Sequence, residues 1–101
     1  MPAELRHLEH GAYSLSGDLD YASVAELCKS APALFAAQIP ETIELSSVSR
    51  SDSSGVALLI AWTREATIRA RQLRFLDMPE QMKALVRVSG LQNILVIENS
   101  D

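Results

Sequence analysis

The sequence is poor in the residues on which most small-protein chemistry is built. It holds a single cysteine, Cys28, so no intrachain disulfide can form. A reducing cytoplasmic location is the simplest reading of that usage. Glycine is scarce, with four residues in a chain of 101. Neither G-x-x-x-x-G-K-[ST] nor G-x-G-x-x-G occurs, which removes the loops that cradle nucleotide phosphates. The two histidines, His7 and His10, lie near the N-terminus, and with Cys28 they show no metal-ligand spacing. They read as surface residues. No nucleophile-elbow pattern surrounds a serine, so a hydrolase triad has no sequence support. The expectation is a protein with no catalytic residues, no cofactor and no metal site.

Positive charge is also short. The formal net charge is -4, so nothing draws the chain globally to nucleic acid or to an anionic membrane surface. Arg64, Arg69, Arg71 and Arg74 cluster locally and read as cations near a helix C-terminus, where they complement its dipole. The longest apolar run, Val56 to Trp62, is too short to cross a bilayer, and MPAELRHLEH has no apolar signal region. No direct membrane insertion is expected.

What remains is ordinary globular material. Apolar residues make up 48% and charged residues 22%, a balance that excludes disorder. The length fits one domain over residues 1–101, with a core that needs no staples. Leu5 and Leu8 mark a weak first strand, Gly11 turns the chain, and Ala12 to Ser16 alternates as a second strand that Gly17 ends. Asp20 is a good N-cap for a helix from Tyr21. Val24, Leu27, Cys28 and Ala31 follow its apolar period. Pro32 interrupts that face, and Ser30 is read as the cap of a separate short helix anchored by Leu34 and Phe35. Thr42 to Ser46 is a strand, and Ser47 to Asp52 a polar loop with Val48 turned inward. A long helix runs from about Ser54 to Arg71, with Val56, Leu59, Ile60, Thr63 and Ala66 as its core stripe. Leu73 to Leu76 is a short strand. Pro79 opens a helix to Val88 with Met82, Leu85 and Val86 facing in, and Gly90 supplies its left-handed cap. Ile94 to Ile97 is a strand covered on at least one face. The order β-β-α-β-α-β-α-β implies an α/β fold with parallel pairing and right-handed crossovers.

One stretch stands out. RSDSSG, Arg50 to Gly55, sets hydroxyls and charge directly against the apolar run that follows. A long helix starts there, and its first N–H groups need partners. Asp52 or Ser53 can serve as the cap. One side chain suffices, and several are present. The cluster also lies between a strand end and a helix start, a common position for a site in open α/β sheets. Gly55 lets another surface approach the backbone. A phosphoryl group on Ser53 would meet the positive end of the helix dipole and would repel a partner packing flat over Asp52. On the helical wheel Leu58 and Trp62 leave the core stripe. If exposed, they form an apolar patch one turn beyond the serines, with Trp62 as a partner's anchor.

Two motifs then match a family. Gly17-Asp18-Leu19-Asp20 resembles the G-[DE]-L-D that follows the second strand of STAS domains. Glu44-Leu45-Ser46, Val48 and Asp52-Ser53-Ser54-Gly55-Val56 resemble that family's D-L-S-x-V-x-x-[IV]-D-S-S-G-L stretch. Glu44 stands where Asp is usual, and Ser51 where a buried Ile or Val is usual, which weakens the anchoring of the loop. The resemblance implies a β-α superhelix, with a small, mostly parallel sheet in sequential order, helices largely on one face and an N-terminal antiparallel strand. It is nearest to the MlaB-like members, cytoplasmic STAS subunits of phospholipid-trafficking ABC transporters. It implies a non-catalytic subunit that binds the transporter's ATPase subunit, and the permease through it, by Arg50, Asp52, Ser53, Ser54, Leu58 and Trp62. Such a subunit sits peripheral to the inner membrane through its complex. The alternative it implies is an anti-sigma factor antagonist switched by a serine kinase at Ser53. An isolated domain could also pair as a homodimer through an uncovered sheet face or through Trp62.

Overall fold

A computed structural model describes residues 1–100. The order is β1 (Glu4–Glu9), β2 (Ala12–Leu19), α1 (Tyr21–Ala37), β3 (Thr42–Ser51), α2 (Ser53–Ile68), β4 (Arg74–Leu76), α3 (Glu80–Val88) and β5 (Val96–Glu98). The five strands form one sheet in sequential order. β1 pairs antiparallel with β2, and every later pair is parallel. Three parallel steps in the same direction, each with a right-handed crossover, set the three helices on one face. In that layer α1 touches α2 and α2 touches α3.

The core lies between sheet and helices. Tyr13, Leu15, Leu19, Ile43, Leu45 and Phe75 point from the strands into Leu59, Met82 and Val86 from the helices. The other sheet face carries Ser14, Ser16, Thr42, Glu44 and Arg74, all partly open, and Arg74 pairs there with Glu98 at 3.1 Å. The parallel pairing is as read from the sequence, and the sequential strand order is as the family resemblance implies.

Several local expectations fail. Residues 47–52 are not a loop: β3 continues to Ser51. Its pairing with β2 shifts register twice, between Ser14 and Ser16 and between Gly17 and Asp18. Each shift gives β3 one extra residue, a β-bulge. The inward positions therefore fall at Ile43, Leu45, Val48 and Ser51, and the period of two that marks a strand is lost. Gly17 does not end β2. It sits inside the strand at φ 88°, where a Cβ would run into the backbone of Pro2 and Ala3. Pro32 does not split the first helix, since α1 runs unbroken from Tyr21 to Ala37 around it. Cys28 is exposed and no part of the core face, while Leu27 and Ala31 are buried. β5 starts at Val96, and Ile94 lies outside it, half exposed.

Candidate functional site at the paired helix starts

The ends of β2 and β3 lie side by side. Leu19 pairs with Ser51, and the Asp52 N–H donates to the Leu19 carbonyl at 3.0 Å. Both strands then lead into helices, so α1 and α2 begin side by side at the carboxyl end of the sheet.

Each start is capped by an aspartate. The Asp20 carboxylate accepts from the Ser23 N–H at 2.9 Å, and the Ser23 hydroxyl accepts from the Asp20 N–H at 2.9 Å, a reciprocal capping box. The Ser23 amide is the main reason the Asp20 carboxyl lies below its ordinary range. Asp52 caps α2, accepting from the Ser54 N–H at 2.8 Å. That settles which residue of the serine cluster serves the helix. Ser53 is exposed, and among the described residues its hydroxyl has no hydrogen-bond partner.

Ser51 is buried at 4% exposure, in the place expected to weaken the anchoring. The anchor comes from α3. The Ser51 N–H donates to Gln81 Oε1 at 2.9 Å, and Gln81 Nε2 donates to the Ser51 carbonyl at 2.7 Å. The Ser51 hydroxyl donates to the Asp52 carbonyl at 2.8 Å. One amide side chain thus pairs with the strand end as a neighbouring strand would. Gly55 is buried beneath this turn, not offered to a partner. A Cβ there would collide with the Ser51 hydroxyl and approach the Leu19 Cβ to 2.9 Å.

Arg50 and Asp52 are exposed, and with Asp18, Leu19 and Asp20 they line a shallow depression of about 270 Å³. Asp18 is held by the Met1 ammonium at 2.9 Å, and among the described residues Arg50 makes no ion pair. Three carboxylates against one guanidinium and the Met1 ammonium leave the rim with an excess of one negative charge.

The apolar patch is not there. Leu58 is 2% exposed and Trp62 8% exposed, both in the core. The reason is the unbroken α1. Its Phe35 ring meets the Trp62 indole edge to face at 5.3 Å, and Tyr13 meets Phe35 in the same manner at 5.1 Å. The surface beyond Ser53 instead carries Ala57 and Ala61, both exposed, at i+4 and i+8 along α2. Tyr21, directly after Asp20, is 81% exposed. Tyr21 stands three residues before Val24, where the helical period adjoins the apolar face, so no sequence signal announces its exposure.

Of the residues expected to meet a partner, Arg50, Asp52 and Ser53 are exposed, Ser54 is half-buried, and Leu58 and Trp62 lie in the core; Tyr21, Ala57 and Ala61 are exposed. Among the described residues no three metal-binding side chains cluster, and His7 contacts the His10 carbonyl within the first turn.

A family model described as "Mlab, STAS domain" matches residues 4–97. No curated protein matches the chain. Two solved structures align over 98% of it. One is the anti-sigma factor antagonist SpoIIAA in its unphosphorylated form, with a TM-score of 0.75, 20% identity and 88% of that chain covered. The other is the Bacillus cell fate determinant SpoIIAA in the phosphorylated form, with a TM-score of 0.68, 24% identity and 91% covered. At these identities the likeness establishes the fold: the same α/β arrangement with an N-terminal antiparallel pair on a parallel sheet.

Proposed function

The chain belongs to the MlaB-type STAS-domain family, and on that premise we propose that it is a non-catalytic docking subunit of a phospholipid-trafficking ABC transporter. Its partner is the transporter's ATPase subunit, and through it the permease, at the cytoplasmic side of the membrane. The observation that carries the reading is the free Ser53 hydroxyl. It stands at the start of a rigid helix, relieved of capping duty by Asp52, on a flat stretch with Ala57 and Ala61. Small side chains there let a second protein approach the helix closely. Tyr21 supplies the amphipathic aromatic such interfaces favour, and the carboxylates of Asp18, Asp20 and Asp52 fit a partner surface that brings cations. The subunit acts by binding one arrangement of the ATPase better than another, the condition for shifting its equilibrium.

Co-purification with the ATPase tests this. Ser53→Glu places negative charge at a helix N-terminus, which leaves the fold as stable or more so, yet it crowds the docking face beside Asp52. Binding should fall by about tenfold or more while the thermal midpoint holds. Tyr21→Ala should weaken binding likewise, and Ser53→Ala should leave it close to unchanged. Full binding by both Ser53→Glu and Tyr21→Ala would rule this surface out.

A second reading uses the same hydroxyl. An exposed serine at a helix N-terminus is a good phosphoryl acceptor site, and the two solved relatives are an antagonist in unphosphorylated and phosphorylated forms. In this reading a serine kinase that inhibits a sigma factor binds the domain and modifies Ser53. Incubation with such a kinase and ATP, followed by mass spectrometry, decides it: phosphate on Ser53 supports the switch, and an unmodified chain removes its basis.

A further inference from the structure

The second notable surface lies at the other end of α2, roughly 18 Å along the helix from Ser53. There the C-terminal halves of α1 and α2 enclose a groove of about 150 Å³. Ala31, Phe35 and Ile39 line it from α1 and the turn that follows, and Trp62 lines it from α2. A dry apolar cavity of that volume takes a benzene-sized group. The perpendicular rings of Phe35 and Trp62 favour a branched aliphatic or aromatic guest.

Only two lining residues are charged. Glu65 and Arg69 are exposed i, i+4 neighbours on α2 at the mouth of the groove. They are opposite in sign and near each other, yet among the described residues neither makes an ion pair. A monocarboxylate guest would find Arg69 but meet repulsion from Glu65. A simple amine would find Glu65 and meet repulsion from Arg69. A head group carrying both signs satisfies both.

We propose that this groove binds a free hydrophobic α-amino acid of leucine or phenylalanine size. Its side chain lies against Phe35 and Trp62, its carboxylate faces the Arg69 guanidinium, and its ammonium faces the Glu65 carboxylate. A residue within a polypeptide carries neither backbone charge, so the two rim charges select the free amino acid over an inserted side chain of a partner. The site uses none of the docking residues around Ser53, and it stands or falls independently of the transporter reading.

Trp62 is the sole tryptophan, so its fluorescence reports on the groove directly. The whole chain is titrated with L-leucine and L-phenylalanine, and in parallel with isocaproate and isoamylamine, which each lack one charge of leucine. The expected result is a saturable change with at least one amino acid, and binding about tenfold weaker or worse for both analogues. Arg69→Gln and Glu65→Gln should each weaken amino-acid binding to a similar degree. Ala36→Phe, a substitution at an exposed lining position, should abolish it by filling the groove. Thermal unfolding of each variant confirms that it is folded. Isocaproate binding as tightly as leucine would overturn the proposal in favour of a carboxylate site. Indifference to both rim substitutions would reduce the groove to a plain apolar hole. No saturable change in the folded wild-type chain at about 10 mM ligand, where a millimolar site would be mostly filled, would overturn it outright.

Discussion

Gly55 and Ser51 are matched to each other. The inward turn of Ser51 at the second bulge brings its hydroxyl over the first turn of α2, and only a residue without a Cβ fits beneath it. Gly55→Ala should therefore destabilise the fold by about 1–3 kcal/mol, as overpacking does. Ser51→Gly in the same chain should recover part of that loss, because the Leu19 Cβ remains as a second obstacle at 2.9 Å. Chemical denaturation of the two single variants and the double variant measures the coupling. Simple additivity would mean that the two sites do not share space. Glycine after a serine run suggests an open approach to the backbone when only the sequence is in view. Which atoms fill that space depends on a bulged strand and on Leu19, and neither is local to the motif.

At the scale of elements, what was legible depended on whether the signal was local. The caps are local chemistry: Asp20 was readable outright, and the second was narrowed to Asp52 or Ser53, of which the structure uses Asp52. The α2 stripe through Val56 and Leu59 follows one period, and it too was readable. The continuity of α1 through Pro32 was not, because propensity weighs the missing N–H of proline and not the packing of Phe35 against Trp62. That packing hid Trp62. β3 was cut short for a different reason, since two bulges erase its alternation.

The Gln81 tie joins residues thirty positions apart, and no local pattern announces it. Gln81→Ala should cost about 1 kcal/mol, a modest value because Gln81 is itself exposed and water can replace it in part. It should also speed amide exchange at Ser51 and Asp52 more than elsewhere. Uniform exchange across the chain would remove the tie from the account.

α1 responds to pH through its cap. The Asp20 carboxyl is held below the ordinary carboxylate range, chiefly by the Ser23 amide. Its folded value is depressed, so the stabilisation is complete above the unfolded carboxyl's range and is lost as pH falls through the folded value. Asp20→Asn keeps a capping acceptor without the titration. Its stability should therefore converge on that of the wild type in strong acid and fall below it near neutral pH. A constant difference across that range would contradict the assignment.

The molecule as a whole is a one-sided layer with three faces of different character. The helix layer buries the core against the sheet. The open sheet face is polar. The carboxyl end of the sheet, where α1 and α2 start, concentrates Asp18, Asp20, Tyr21, Arg50, Asp52 and Ser53 within two short junctions. Element order was legible from hydrophobic spacing, and the family through the resemblance of Gly17 to Asp20 and Asp52 to Val56 to its motifs, which mark those two junctions. The composition of the proposed docking face was only half legible. Its polar members sit in a motif, whereas its apolar members depend on which side of α2 faces α1. The expectation of Leu58 and Trp62 fails on that point, and Ala57 and Ala61 take their place.

The most direct measurement of the docking surface is a backbone amide footprint of the chain by NMR, taken with and without the ATPase subunit. Signals from residues 18–22, 50–54, 57 and 61 should shift or broaden on binding, while those of the open sheet face, such as Ser14 and Thr42, stay in place. A footprint centred on the sheet face, or on the far end of α2 at Glu65 to Arg69 with Ser53 untouched, would contradict the account.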